Sequence, residues 1–168
     1  MLISTQLQFQ KKKDIGQQEG ANSKVFIAYD PQLNADVVIK QIKKETMKVD
    51  EYFKEAHILY NHPHPNITEV NYASFQDEYV YISMPYYKNG SINSLINKRF
   101  LTVREIIKYS LDFLLGLHYI HTQGLIHFDV KPTNILINDS DRAMLTDFGL
   151  AKYVDAYATA VPDKMYTV

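Results

Sequence analysis

Cysteine is absent from all 168 residues. Disulfides, thiolate nucleophiles and cysteine-ligated zinc are therefore excluded. No run of ~18 apolar residues is present, the length a membrane-crossing helix needs. The first ten residues, MLISTQLQFQ, have neither a basic start nor an apolar stretch. A secretory signal is therefore not expected. An excess of charge is missing too: 18 Lys and Arg stand against 19 Asp and Glu, a net charge of −1. A balanced chain has no general pull toward nucleic acid or anionic lipid, so neither partner is expected. Internal repeats and low-complexity tracts are also lacking. Tryptophan is absent while tyrosine reaches 13, which by itself decides nothing.

What is present is an ordinary globular composition, 46% hydrophobic and 22% charged. Disordered and collagen-like chains fall outside those bounds. The length predicts one domain, or at most two small lobes. A chain of this size buries roughly 70% of the surface its unfolded form exposes. A soluble, intracellular and cytoplasmic protein is the expectation.

Residues 25–29 form a short apolar run that stops at Asp30-Pro31, where proline fixes φ and ends a ladder. Residues 36–42, DVVIKQI, are rich in β-branched side chains and predict a buried strand. The period then changes. Val49, Tyr52, Phe53, Ala56, Leu59 and Tyr60 recur at helical spacing as one apolar stripe, broken by the prolines of HPHPN at 62–66. Residues 70–84 return to strand character, and 87–91 read as a linker with Ser91 able to cap a short helix. Thr102 and Glu105 fit a capping box, and Leu101 with Ile106 a hydrophobic staple. Ile106, Ile107, Ser110, Leu111, Leu114, Leu117, Ile120 and His121 then mark one face of a long helix that Gly124 ends. The runs 135–137 and 143–145, joined by a polar turn, predict a hairpin. The tail after Phe148 has no clear period. Strands with one helix come first and a mainly helical part second, joined near residues 85–91, which predicts an α+β fold in two lobes.

Four segments carry chemistry together: Val37-Val38-Ile39-Lys40, the helical Glu55, His127-Phe128-Asp129-Val130-Lys131-Pro132-Thr133-Asn134, and Asp147-Phe148-Gly149. The HxDxKxxN pattern followed by DFG, in this order, is highly specific. On these residues the chain resembles the eukaryotic-type protein kinase family over roughly residues 14–168. Lys131, two residues after Asp129, resembles the Ser/Thr branch. The resemblance implies a bilobal fold with a β-sheet and one helix in the N-lobe (1–86) and a partial helical C-lobe (87–168). It also implies ATP and Mg²⁺ as cofactors and a protein substrate bearing Ser or Thr.

The chemistry explains the residue types. Moving a γ-phosphoryl group means managing concentrated negative charge with cations, metal ligands and a positioned hydroxyl. By the resemblance, Asp129 would accept or orient the substrate hydroxyl proton, and Lys131 would stabilise the transferring phosphate. Asn134 would give an amide oxygen and Asp147 a carboxylate to Mg²⁺, which prefers hard oxygen ligands. Lys40 would contact the α and β phosphates, held by a carboxylate on the helix. Glu55 fits that part; Glu51 points further toward solvent and Glu45 follows Lys40 too soon.

The family's glycine pattern falls on residues 18–25, where only Gly20 and Val25 match and Gln18 and Ser23 replace the outer glycines. Backbone N–H groups can still cradle phosphate in such a loop, which is stiffer. Val25 and Val38 would roof adenine, with Leu136 as its floor. Met84 would be the gatekeeper, and Pro85, Tyr86 and Tyr87 the hinge, using Pro85 C=O and Tyr87 N–H. Leu59, His127 and Phe148 would stack inside the core. Phe128 stands where the family's HRD motif has an arginine that pairs with an activation-loop phosphate. Phenylalanine cannot do this, so weak or no dependence on that phosphorylation is expected. Thr159, Tyr157, Tyr166 and Thr167 remain candidate phosphosites.

Simpler readings apply elsewhere. His62 and His64 lack an evident third metal ligand. His127 reads as a packed, hydrogen-bonded core histidine. Lys11, Lys12 and Lys13 read as a solvated approach to a strand, and Tyr79, Tyr81, Tyr86 and Tyr87 as core and hinge, not a base-stacking platform. The chain stops at Val168, before an APE segment and the later family helices. It reads as a fragment or a naturally truncated copy, poorly stable or inactive alone, with an apolar surface left on its helical part. The expected function is a protein serine/threonine kinase catalytic domain. A pseudokinase-like nucleotide-binding or interaction module is the alternative. A small-molecule phosphotransferase fits less well, given DFG and Lys131.

Overall fold

The structure, a computed structural model, describes residues 7–17, 23–44 and 51–154. Gly20 and its loop, Glu45, Val49, and the candidate phosphosites Thr159, Tyr157, Tyr166 and Thr167 lie outside the described residues. Strands β1 (Gln10–Gln17), β2 (Ser23–Asp30), β3 (Ala35–Lys43), β4 (Tyr72–Gln76) and β5 (Tyr79–Pro85) form an antiparallel sheet in the order β1-β2-β3-β5-β4. Helix α1 (Lys54–Asn61) lies between β3 and β4 in the chain. Then come α2 (Ile92–Ile96), α3 (Val103–Thr122), β6 (Leu125–Ile126), β7 (Ile135–Ile137), β8 (Ala143–Leu145) and β9 (Lys152–Tyr153). β7 pairs with β8 and β6 with β9, both antiparallel.

Alternation along β3 divides two cores. Val37 and Ile39 join Phe26 and Ala28 in a small cluster, flanked by Phe9 and Tyr81. Val38 and Ile42 face the other way, onto the larger cluster that contains Leu59, Met84 and Phe148. That period-2 switch also puts Lys40 on the side of the larger core. At the β2–β3 turn the buried Asp30 carboxylate accepts N–H groups of Gln32 and Leu33 at 2.8 and 3.0 Å and the Tyr72 hydroxyl at 2.7 Å. The Asp30-Pro31 stop is thus a side-chain-capped turn.

Helix α3 carries the capping box: Thr102 and Glu105 exchange side-chain-to-backbone bonds at 3.2 and 2.8 Å. Gly124 follows the helix with φ +70°, a backbone that glycine adopts without strain. Ser91 caps α2 by accepting the Ser94 N–H at 3.1 Å. The β7–β8 hairpin packs on α3, with Asp112 accepting the Ala143 N–H at 3.0 Å and Tyr109 donating to Asp141 at 2.6 Å. The 62–68 segment ties α1 to this hairpin. Asn66 donates to Ala143 O at 3.0 Å, while Leu145 N–H bonds Asn66 O at 2.8 Å.

Two expectations need correction. The stripe from Val49 to Tyr60 predicts one helix, yet α1 starts at Lys54, residues 52–53 are turn, and Tyr60 is exposed. Tyr52 and Phe53 pack onto the core from the turn, so apolar spacing there reports burial and not helix. The α3 face is misplaced. Tyr109, Gly116 and Ile120 are buried, whereas Ile106, Ile107, Leu111 and Leu114 are about half exposed. On the buried side the bare backbone of Gly116 admits the Asn66 carbonyl, and the half-exposed residues are the apolar surface expected on the helical part. From Phe148 the chain makes a short 3₁₀ turn at 148–150 and then β9.

Candidate active site

Lys40 projects from the middle of β3, between Val25 on β2 and Ile82 on β5. Its Nζ lies 2.7 Å from Glu55 Oε2 and 2.8 Å from Asp147 Oδ1. The Lys40 and Glu55 side chains are each only 6% exposed. Burial works against the Lys40 ammonium, but the Glu55 and Asp147 carboxylates outweigh it and hold the group above the usual lysine range. Burial pushes the Glu55 carboxyl above its usual range, opposed by the Lys40 ammonium. Glu55 Oε1 is buried with no hydrogen-bond partner among the described residues. The cluster is therefore costly to desolvate, and such groups concentrate at functional sites.

Asp147 has left-handed backbone, φ 64° and ψ 70°, and the 3₁₀ turn of Phe148 to Leu150 starts just after it. Non-glycine residues occupy that region rarely, and a cost of about 1–3 kcal/mol is typical of functional sites. The flanking Gly149 sits close: a Cβ there would stand 3.5 Å from Lys40 Nζ and 3.6 Å from Glu55 Oε2. Phe148 is fully buried beside Leu59 in the larger core.

The loop after β6 supplies a second group. Asn134 Nδ2 donates to the Asp129 carboxylate at 2.8 Å and to the Asp129 carbonyl at 2.9 Å. Lys131 Nζ stands 2.9 Å from the same carboxylate. His127 sets the loop in place. Its Nδ1 accepts the Asp129 N–H at 3.2 Å, so the proton is on Nε2, which donates to Thr146 C=O at 2.9 Å. Burial holds the His127 imidazole below its ordinary pKa, in its neutral form. Its ring meets Phe148 edge-on, with centroids 4.7 Å apart. Thr146 N–H also bonds Asn134 O at 3.0 Å. Both bonds run through the residue before Asp147, so the two charged groups share one framework.

The structure therefore brings Lys40, Glu55 and Asp147 into one cluster and Asp129, Lys131 and Asn134 into another, adjacent through Thr146. Val38 pairs with Met84 and Val37 with Pro85 across β3 and β5, and Val25 pairs with Lys40. Leu136 lies on β7 and bridges Ser91 just beyond the hinge. Tyr87 C=O accepts the Gly90 N–H at 3.0 Å. Burial and the nearby Glu69 carboxylate push the Tyr87 hydroxyl up to about 12. Phe128 has φ 62°, also left-handed. Sequence reading missed the Thr146 carbonyl, which no side-chain pattern announces. It also missed the bracing role of Asn66, although that residue lies in the HPHPN stretch.

Comparison with known proteins gives the same assignment. The Protein kinase domain family matches residues 9–167, nearly the entire chain. The chain belongs to the protein kinase family. Ribosomal protein S6 kinase 2 alpha of Gallus gallus is 32% identical over 152 residues, covering 86% of this chain and 20% of that protein. A probable serine/threonine-protein kinase of Dictyostelium discoideum is 34% identical over 160 residues, 92% of this chain and 24% of its own length. Serine/threonine-protein kinase PknD of Protochlamydia amoebophila is 29% identical over 166 residues, 88% and 16% of the two chains. This kinase chain thus spans between about a sixth and a quarter of the length of these relatives. The family uses ATP and a divalent metal, and the five-stranded sheet with a partial helical C-lobe is its α+β fold.

Proposed function

We propose that this chain is the nucleotide-binding and catalytic part of a protein serine/threonine kinase, with residues 1–86 as N-lobe and 87–168 as the start of the C-lobe. The observation that carries the reading is Lys40, held by Glu55 at 2.7 Å and Asp147 at 2.8 Å beside the Asp129 and Asn134 pair. An ammonium fixed by a helix carboxylate suits the α and β phosphates of ATP. Val25, Val38, Met84 and Leu136 suit the adenine ring, and Pro85 and Tyr87 offer backbone groups to its edge. By the family resemblance, Gly20 would belong to the phosphate side.

Asn134 uses its Nδ2 on Asp129, so its remaining ligand atom is an oxygen. With the Asp147 carboxylate this gives a hard oxygen donor set that fits Mg²⁺. When bound, Mg²⁺ neutralises charge on the phosphates. Asp129 orients the acceptor hydroxyl and takes its proton as that oxygen bonds to the γ-phosphorus and ADP departs. Lys131 offsets the equatorial charge on the transferring group.

The Ser/Thr preference rests on Lys131 and on the relatives from Dictyostelium discoideum and Protochlamydia amoebophila, which are named serine/threonine-protein kinases. Phe128, in place of the family's arginine, favours a second reading, a module that binds nucleotide without catalysis. Retention of Lys40, Glu55, Asp129, Asn134 and Asp147 supports catalysis instead. Phosphate transfer to a generic protein acceptor by a longer form of the protein, as wild type and as Asp129→Asn and Asp147→Asn, tests the difference. The catalytic reading expects activity in the wild type and its loss in both variants. No difference among the three supports the binding module.

A further inference from the structure

A histidine closes α1. His62 Nδ1 lies 2.8 Å from Ile58 C=O, the carbonyl one turn earlier. A carbonyl only accepts, so Nδ1 carries the proton and Nε2 the lone pair. Nε2 stands 3.5 Å from the hydroxyl of Tyr153, a long hydrogen bond in which the hydroxyl is the donor, and Tyr153 is 60% exposed. The two rings are 6.0 Å apart, and Tyr119 of α3 meets His62 edge-on at 6.3 Å. His62 is 6% exposed, so an apolar residue would satisfy burial alone. Only a group with a donor and an acceptor on opposite sides both caps Ile58 and receives the hydroxyl.

Both partners sit just beyond residues of the ion cluster. His62 follows Glu55 by seven residues along α1, and Tyr153 follows Asp147 by six. Tyr153 is itself fixed, because β9 pairs with β6 and Val154 N–H bonds Gly124 O at 2.8 Å.

We propose that His62 and Tyr153 are positioning residues: their pairing fastens the end of α1 to β9, so that Glu55 and Asp147 approach Lys40 from elements locked together at their far ends. This rests on the phosphoryl-transfer reading of the site. The pair touches neither nucleotide nor acceptor and acts through Glu55 and Asp147.

The test uses the full chain with Tyr153→Phe, which removes one hydroxyl and keeps the ring, and His62→Leu, which keeps the bulk. Hydrogen exchange without nucleotide is expected to quicken in Tyr153→Phe over both 54–61 and 148–151, with little change in melting temperature. The Kd for ATP is expected to rise about threefold to tenfold, and the double variant to be no worse than either single one. Nitrogen-15 shifts of His62 are expected to show protonated Nδ1 and bare Nε2. Faster exchange confined to 152–154, or effects that simply add, overturns the proposal. The exchange readout needs no ATP, so it stands apart from the functional reading, whose failure appears in the phosphate-transfer assay of the longer protein.

Discussion

Gly116 and Asn66 meet backbone to backbone: a Cβ on Gly116 would stand 2.8 Å from the Asn66 carbonyl oxygen. That oxygen already accepts the Leu145 N–H, so it cannot swing away without breaking the link from the 62–68 segment to β8. Gly116→Ala gains about 1 kcal/mol of helix propensity, but overpacking costs about 1–3 kcal/mol. Chemical denaturation is expected to show a net loss of stability, and a more stable variant would refute the contact.

Lys40→Met leaves the Glu55 carboxylate buried without its cation. Breaking such a pair costs about 3–5 kcal/mol. Burial raises the Glu55 pKa, so protonation relieves the variant as pH falls. The wild-type Lys40 stays charged throughout, its pKa being raised. The loss measured by urea denaturation is therefore expected to be smaller near pH 5 than near pH 8. An equal loss at both values would show Glu55 to be solvated.

His127 is held neutral by burial, with its pKa below the ordinary value of 6.5. Between the folded and unfolded pKa values the unfolded chain binds more protons, so this stability is complete above 6.5 and falls as pH drops below it. His64, whose pKa burial also lowers, acts in the same direction. An NMR titration of the His127 ring is expected to give a midpoint below 6.5. A midpoint at or above that value would mean that burial does not hold the ring neutral, since its bond to the Thr146 carbonyl acts in the opposite direction.

Phe128 presents a neutral ring where a phosphate partner would have to be cationic. Phosphatase treatment of the intact enzyme is expected to leave activity within about twofold. A large loss would mean that another cation in the site reads a phosphate.

The parts of the fold legible in the sequence are those with local causes. Thr102 with Glu105, Ser91 before α2, Asp30-Pro31 and the 135–145 hairpin all act within a few residues, and each marks an observed boundary. The α3 face was not legible, because apolar side chains occur on both sides of the helix and the packing partners, Asn66 against Gly116 among them, come from distant parts of the chain. The start of α1 was obscured for a similar reason, since Tyr52 and Phe53 are apolar for the core's sake outside any helix. In the site, Lys40, Glu55, Asp129, Asn134 and Asp147 stand out by type and spacing. The His127 bond to the Thr146 carbonyl and the His62 and Tyr153 pairing depend on backbone paths that no pattern of side chains encodes.

The most direct measurement is calorimetric binding of ATP with and without Mg²⁺ to the wild type, Lys40→Met and Asp147→Asn. The account predicts that the wild type binds ATP and binds it more tightly with the metal, that Lys40→Met weakens binding in both conditions, and that Asp147→Asn removes the gain from Mg²⁺. Binding of equal strength in all three, indifferent to the metal, would contradict a site in which Lys40 and Asp147 hold the triphosphate and its cation.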